Sequence, residues 1–320
     1  MVRDGKIDSL KGLLISFVVL GHCLTYGEPH DGIKTVLSNC IYIFHMPLFV
    51  LLSGYFTHVD SKHFWKGMLL ILESYVVFQL IKGWLSDYSL MEYLTTPAPM
   101  MWYLWALLIW RAATFIWNQL CFPKYLDYAV LVILFFVALG VGFVDRIGAL
   151  FALSRLCVFA PFFWLGFMAQ KKDVSTFLGR IPQWLSIVFL LVPLDFVTLC
   201  TICDVLNVRQ VLRGVNGYGG ELLYFIGRAV WYLLAMMMSV GLSSLVGENK
   251  LLTIIGRDSL KYYLFHGVVL TLMVKMAMPW PWYMSFVYWI VLMTVFYFFN
   301  KTKLSNFILH PISSVIERKS

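Results

Sequence analysis

Apolar runs, each about as long as a bilayer crossing, alternate with short polar connections along the whole chain. A helix needs about 20 apolar residues to span the hydrocarbon core. On that measure the runs predict ten helices, near 7–26, 36–56, 64–85, 100–119, 126–144, 152–169, 183–203, 222–246, 256–277 and 281–300. The expected fold is all-α and polytopic: one membrane-embedded domain over residues 1–320, with no appended soluble domain. The first run leads into His22 and Glu28 rather than a small-residue cleavage site, so it reads as a retained span.

Composition supports this pattern. Of 320 residues, 60% are hydrophobic and 13% charged, where a soluble domain carries about 25% charged residues. Mean hydropathy is +0.78. The 17% aromatic content suits interfacial belts. A net charge of +8 does not point to nucleic acid, because the basic residues lie between apolar runs and form no aromatic-interleaved face.

Their distribution instead orients the chain. With the N-terminus in the cytoplasm, the inner side collects Arg3, Lys6, Lys11, Lys62, Lys66, Lys124, Lys171, Lys172, Arg180, Lys250, Arg257, Lys301, Lys303, Arg318 and Lys319. The outer side collects Lys34, Arg146, Arg209 and Arg213. Ten spans return the C-terminus to the cytoplasm. The longest outer connection, Asp204 to Gly220 with Arg209, Arg213 and Asn216, is either a lid facing a substrate or an ordinary loop. The six cysteines, Cys200 and Cys203 among them, have no zinc-site spacing and read as small apolar fillers; no metal is expected.

Ionisable side chains at membrane depth are costly and mark pathways or reactions. Lys11 and His22 stand eleven residues apart on the first helix, close to three turns. They therefore share a stripe, about 16 Å apart along the axis. Asp8 lies one turn from Lys11, placed to pair with it. On the second helix Tyr42 and His45 share a face, and Pro47 removes a backbone donor, predicting a kink and a freed carbonyl. Two facing imidazoles suit a base and its orienting partner. Arg155 enters the sixth helix about one turn deep and needs an anion or oxygen-rich partner, with Glu73 and Glu221 as structural candidates. Trp102 and Tyr103 open an outer helix end, and His266 lies near mid-membrane in the ninth helix. Arg228 and Glu221 are weaker candidates for the same interior.

These segments, in this order, resemble the acyltransferase-3 family of integral membrane O-acyltransferases, close to its branch with fucose 4-O-acetylase-like and polysaccharide O-acetyltransferase members. The resemblance rests on Asp8…Lys11-Gly12…Gly21-His22 and on Phe44-His45-Met46-Pro47-Leu48-Phe49…Ser53-Gly54-Tyr55. It continues in Trp102-Tyr103-Leu104, in Arg155…Pro161-Phe162-Phe163…Gly166 and in Ser259-Leu260…Tyr263-Leu264-Phe265-His266. Many relatives have arginine where this chain has Lys11, which replaces a bidentate fork by a point charge still suited to phosphate. Many also append an SGNH hydrolase-like domain.

The resemblance implies transfer of an acyl group, usually acetyl, from cytoplasmic acyl-coenzyme A to a sugar hydroxyl of a cell-surface or lipid-linked glycan. The setting would be the inner (plasma) membrane of an enveloped cell, in contact with lipid. Lys11 and Asp8, with Lys6 and Arg257, would hold the donor at the inner mouth. His22, His45 and Arg155 would form the catalytic group, with His22 as general base. Tyr42, Trp102 and His266 would hold substrate, Arg155, Tyr42 or Trp102 steadying the thioester oxyanion or the acceptor. Direct transfer and a covalent acyl-histidine both fit, and a homo-oligomer is left open. A different class also fits the polar stripe: a transporter or flippase for a lipid-linked sugar, which would turn over no thioester. A membrane-embedded sensor accounts for the short loops but not for so many buried polar groups.

Overall fold

The structure, a computed structural model, describes residues 4–25, 32–144, 150–170, 172, 174–215, 217–276 and 280–310. Glu28, Arg3, Arg146, Lys171, Asn216, Arg318 and Lys319 lie outside the described residues, as does the side chain of Lys62.

Among the described residues there are sixteen α-helices and no strand. They are α1 (Gly5–Thr25), α2 (Gly32–Tyr42), α3 (His45–Tyr55), α4 (Ser61–Leu85), α5 (Leu90–Thr95), α6 (Trp102–Gln119), α7 (Tyr125–Gly140) and α8 (Leu153–Ala169). After these come α9 (Val174–Gly179), α10 (Gln183–Ile202), α11 (Val208–Arg213), α12 (Leu222–Leu245), α13 (Lys250–Arg257), α14 (Ser259–Lys275), α15 (Trp282–Phe299) and α16 (Lys303–Leu309). The protein is an all-α, polytopic membrane protein. Eight helical stretches among the described residues are long and apolar enough to cross a membrane, one of them Gly32–Tyr55 across the α2–α3 junction. The helices α6 and α14, with 18 and 17 residues, occupy the positions of the other two expected spans.

Polar residues in the connections cap both short and long helices. Asn249 begins α13 by accepting a hydrogen bond from the Leu252 amide at 3.1 Å. At the start of α4 Asp60 accepts from the His63 amide at 3.0 Å and lies 2.6 Å from its Nδ1. Those two bonds, the backbone one first, hold the Asp60 carboxyl below its ordinary value. This cap is therefore present at neutral pH and is lost only as pH falls through that lowered value.

The hydrophobic effect offers little drive between helices in lipid, so close backbone approach matters. Two crossings use glycine for this. On α1 and α13, Gly12 faces the Leu252 carbonyl while Gly256 faces the Asp8 carbonyl. On α3 and α8, Gly54 faces the Phe163 carbonyl while Gly166 faces that of Leu51. A Cβ at any of the four would collide with backbone, which cannot rotate away. Beside the first crossing, Ser9 Oγ lies 2.9 Å from Thr253 Oγ1 and accepts from the Asn249 amide at 2.9 Å. These contacts fix α13, and with it Arg257, against the first two turns of α1.

Lys34, expected in an outer connection, lies instead inside α2 and is buried, its ammonium donating to the Trp280 carbonyl. Charge alone placed it in a loop; the carbonyl and the Trp280 ring 5.7 Å away give it a protein partner instead.

Gly256→Val should separate α13 from α1 and lower stability by about 1–3 kcal/mol or more, the usual cost of overpacking. Thermal melting in detergent is the check, with Gly247→Val, which meets nothing within 4 Å, as the control expected to melt near the parent.

Candidate active site

A proline dictates how the site is built. Pro47 has no amide to donate to the Ile43 carbonyl four residues back, and its ring would crowd that carbonyl in a continuous helix. The second predicted span accordingly breaks at Ile43–Phe44, and Pro47 falls in the first turn of α3, where the missing donor costs nothing. The freed Ile43 carbonyl accepts from buried Trp231 Nε1 on α12 at 3.1 Å. Two residues earlier, the Ile41 carbonyl lies 2.8 Å from His45 Nδ1, which fixes the ring at the break.

Two cavities lie along α1. The lower one, near where α1 begins, measures about 300 Å³ and is lined by Asp8, Lys11, Arg111 and Arg257 together with Ser53, Phe56 and Tyr103. Asp8 is buried and sits between two cations, 3.8 Å from Lys11 Nζ and 3.5 Å from Arg257 Nε. Lys11 also lies 4.0 Å above the Phe56 ring. Three cations to one carboxylate make this mouth electropositive, and Arg257 stays half exposed there, at 51% of its side chain. Such a site suits phosphate groups.

The upper cavity, near the end of α1, measures about 130 Å³. His22, Tyr42, His45, Trp102 and Arg155 all line it, joined by Thr25 and Arg213. Tyr42 Oη is 3.2 Å from His22 Nδ1, and the Tyr42 and His45 rings meet edge to face at 4.7 Å. Arg213 stacks 5.1 Å from the Tyr42 ring and donates to Thr25 Oγ1 at 3.2 Å. Arg155 lies 5.1 Å from the Trp102 ring and donates through Nε to the Arg213 carbonyl at 3.3 Å. Its two structural candidates lie elsewhere: Glu73 is 3.9 Å from His310, and Glu221 is an exposed N-cap of α12.

His266 is fully buried, with its ring 5.4 Å from that of His22, but it lines neither cavity. Its Nδ1 lies 2.7 Å from the Tyr262 carbonyl. Arg228 also lines neither cavity; it is fully buried, 4.6 Å from the Tyr218 ring. Met46 and Tyr263 line both cavities and so stand between them. Tyr263 is held in place by donating to the Met100 carbonyl, at a residue with φ 73°.

Three further residues escape a sequence reading. Arg111 reaches the lower cavity from the middle of α6. Arg213 reaches the upper one from α11, a short helix in what was expected to be an outer loop. Lys82 on α4 is buried and donates to the Gly267 carbonyl at 3.2 Å, one residue from His266. For Arg111 and Lys82 the available signal is a lone cation in an apolar run. For Arg213 the signal is only its place in the 204–220 connection, where a lid and an ordinary loop read alike because nothing local tells an exposed loop arginine from one folded inward.

Residues 4–300 match the family model described as an acyltransferase domain, that of the acyltransferase-3 family. The chain belongs to this family, and the two cavities lie within its acyltransferase domain. Among curated proteins it is similar to the nodulation protein NolL of Mesorhizobium japonicum, 31% identical over 130 residues, which are 33% of this chain and 34% of that protein. It is also similar to the nodulation protein NolL of Sinorhizobium fredii, 45% identical over 56 residues, 17% of this chain and 15% of that one. The matched segments thus span about a third of the first relative's length and less of the second's. No solved structure matches the chain.

Trp231→Phe should leave the Ile43 carbonyl buried without a donor, a loss of about 1–3 kcal/mol. A lowered melting temperature in detergent is expected, with the helical circular dichroism of the folded state unchanged. An unaltered melting temperature would mean that the break at Ile43–Phe44 does not depend on this bond.

Proposed function

We propose that the protein is a multi-pass inner-membrane O-acyltransferase that moves an acyl group, most simply acetyl, from acyl-coenzyme A to a sugar hydroxyl of a cell-surface or lipid-linked glycan. One observation carries this reading. An electropositive cavity and a histidine-lined cavity sit at opposite ends of α1 and meet at Met46 and Tyr263. The donor's phosphates would rest on Lys11, Arg111 and Arg257, with Asp8 holding two of these cations in place. The thioester arm would follow α1 past Met46 and Tyr263, covering the roughly 16 Å between Lys11 and His22. The acceptor would enter from the opposite end, where Tyr42, Trp102, Arg155 and Arg213 surround the histidines. Arg155 or Arg213 would stabilise charge on the thioester oxygen.

The proposal extends to topology. All ten apolar helices cross, both termini face the cytoplasm, and the whole chain works as one membrane domain. A transporter of lipid-linked sugar would use the same cavities but release no thiol, so free thiol from acetyl-coenzyme A separates the two readings.

Lys11→Ala should raise the KM for acetyl-coenzyme A while leaving kcat within a fewfold, because Lys11 lies about three turns from the histidines. Lys11→Arg should restore the donor KM. His22→Ala should lower kcat by about a hundredfold or more with little change in that KM. An unchanged donor KM in Lys11→Ala would move the coenzyme site elsewhere.

Sidedness is a separate expectation. In sealed vesicles of known orientation, acetyl-coenzyme A supplied on the side of the N-terminus should acetylate glycan on the opposite side. A requirement for both substrates on one side would replace the through-membrane route with a shallow site.

A further inference from the structure

The hydrogen-bond directions around the upper cavity give its two histidines opposite proton roles. Arg213 can only donate, and its Nη2 is 3.2 Å from Thr25 Oγ1. With that oxygen accepting, the Thr25 hydroxyl proton points to Tyr42 Oη, 3.4 Å away. Tyr42 has one proton of its own, and among the described residues its hydroxyl meets only Thr25 and, at 3.2 Å, His22 Nδ1, so the proton goes to that nitrogen. A ring nitrogen that accepts carries no proton, so neutral His22 holds its proton on Nε2. His45 is the reverse case. Its Nδ1 faces the Ile41 carbonyl at 2.8 Å, and a carbonyl can only accept. Neutral His45 therefore carries its proton on Nδ1 and a lone pair on Nε2. His266 repeats the His45 arrangement on the Tyr262 carbonyl, but it is fully buried and lines neither cavity.

We infer that His45, rather than His22, is the base that takes the acceptor's proton, and that His22 acts as a hydrogen-bond donor through Nε2. The inference rests on the acyl-transfer reading above. His45 Nε2 takes the proton of the acceptor hydroxyl as its oxygen bonds to the thioester carbonyl carbon. The carbonyl oxygen gains the negative charge and accepts from His22 Nε2–H. As the carbon–sulfur bond breaks, the proton on His45 Nε2 passes to the departing sulfur. The products are the ester and the free thiol, and His45 returns to its starting form. Tyr42 is a positioning residue that sets the tautomer of His22.

The test uses the full-length protein in detergent with isotopically labelled histidine. Long-range proton–nitrogen correlation spectra distinguish the two neutral tautomers, and His22→Gln and His45→Gln assign the rings. His22 should appear as the Nε2–H form and His45 as the Nδ1–H form. Tyr42→Phe should remove the hydrogen bond at His22 Nδ1 and shift the resonance of that nitrogen, while leaving His45 as it was. Unchanged signals from the remaining histidines establish that each variant is folded. One shared tautomer for His22 and His45, or a His22 indifferent to Tyr42→Phe, overturns the inference. Thiol release from acetyl-coenzyme A, with water and methyl glycosides as acceptors, gives the second readout. The amide of His22→Gln can replace an Nε2–H donor, so this variant should be about tenfold more active than His22→Ala. His45→Gln supplies no base and should be as slow as His45→Ala. The opposite ranking returns the base to His22. Absence of thiol release from the parent protein sinks the acyl-transfer reading and this assignment with it, while the spectra still report the tautomers.

Discussion

Pro47 is the constraint on which the interior depends. Without it, α2 and α3 would run on as one helix, and the Ile43 carbonyl would be used up within that helix. The break hands that carbonyl to Trp231 and turns His45 onto the Ile41 carbonyl. In water such freed groups would be solvated. In a bilayer they must find partners inside the protein. The partners come from α12 and from the histidine itself, so the break binds three helices together and orients a reactive ring.

The same rule shapes the rest of the bundle. Aromatic N–H and O–H groups cap carbonyls in and around α8, where Pro161 interrupts the ladder: Trp110 reaches Leu156 at 3.2 Å and Tyr232 reaches Val158 at 2.5 Å. Backbone crossings at Gly12–Gly256 and Gly54–Gly166 bring α13 to α1 and α8 to α3. The first crossing carries Arg257 to Asp8 and so completes the lower cavity; the second holds the helix that presents Arg155 to the upper one. Structural devices and candidate chemistry are therefore not separable here. Several cavity-lining side chains, His45, Arg155 and Tyr263 among them, are held by backbone carbonyls.

Much of this was legible along the chain. Nine of the ten apolar runs correspond each to a single long helix, because burial in lipid demands an uninterrupted apolar stretch and leaves a strong signal. The tenth, 36–56, holds the proline-induced break that Pro47 announced, although the break falls four residues earlier, at Ile43, because proline is tolerated in a first helical turn. Helical spacing also put Lys11, Asp8 and His22 on one stripe, and the first two do pair. What the periodicity could not supply was α13, whose eight residues are too short to announce a span, and the inward fold of Arg213 on α11. Lys34 was misplaced because a charge near a helix end looks the same whether it meets water or a carbonyl.

The sequence by itself determined that this chain lives in a membrane as a helical bundle, that polar groups are planted at depth in it, and which family motifs carry them. Those properties are local: they follow from length, hydropathy and helical repeat. Only the tertiary structure decided that His22, His45 and Arg155 share one small cavity while His266 stands behind it, that Lys11, Arg111 and Arg257 gather at another, and that Met46 and Tyr263 divide the two. It also decided which group each histidine's Nδ1 meets, the Tyr42 hydroxyl for His22 and the Ile41 carbonyl for His45. These depend on contacts between residues tens to hundreds of positions apart, such as Asp8 with Arg257 and Thr25 with Arg213. No local pattern encodes such contacts, because they arise only when separate helices satisfy one another's polar groups in the absence of water.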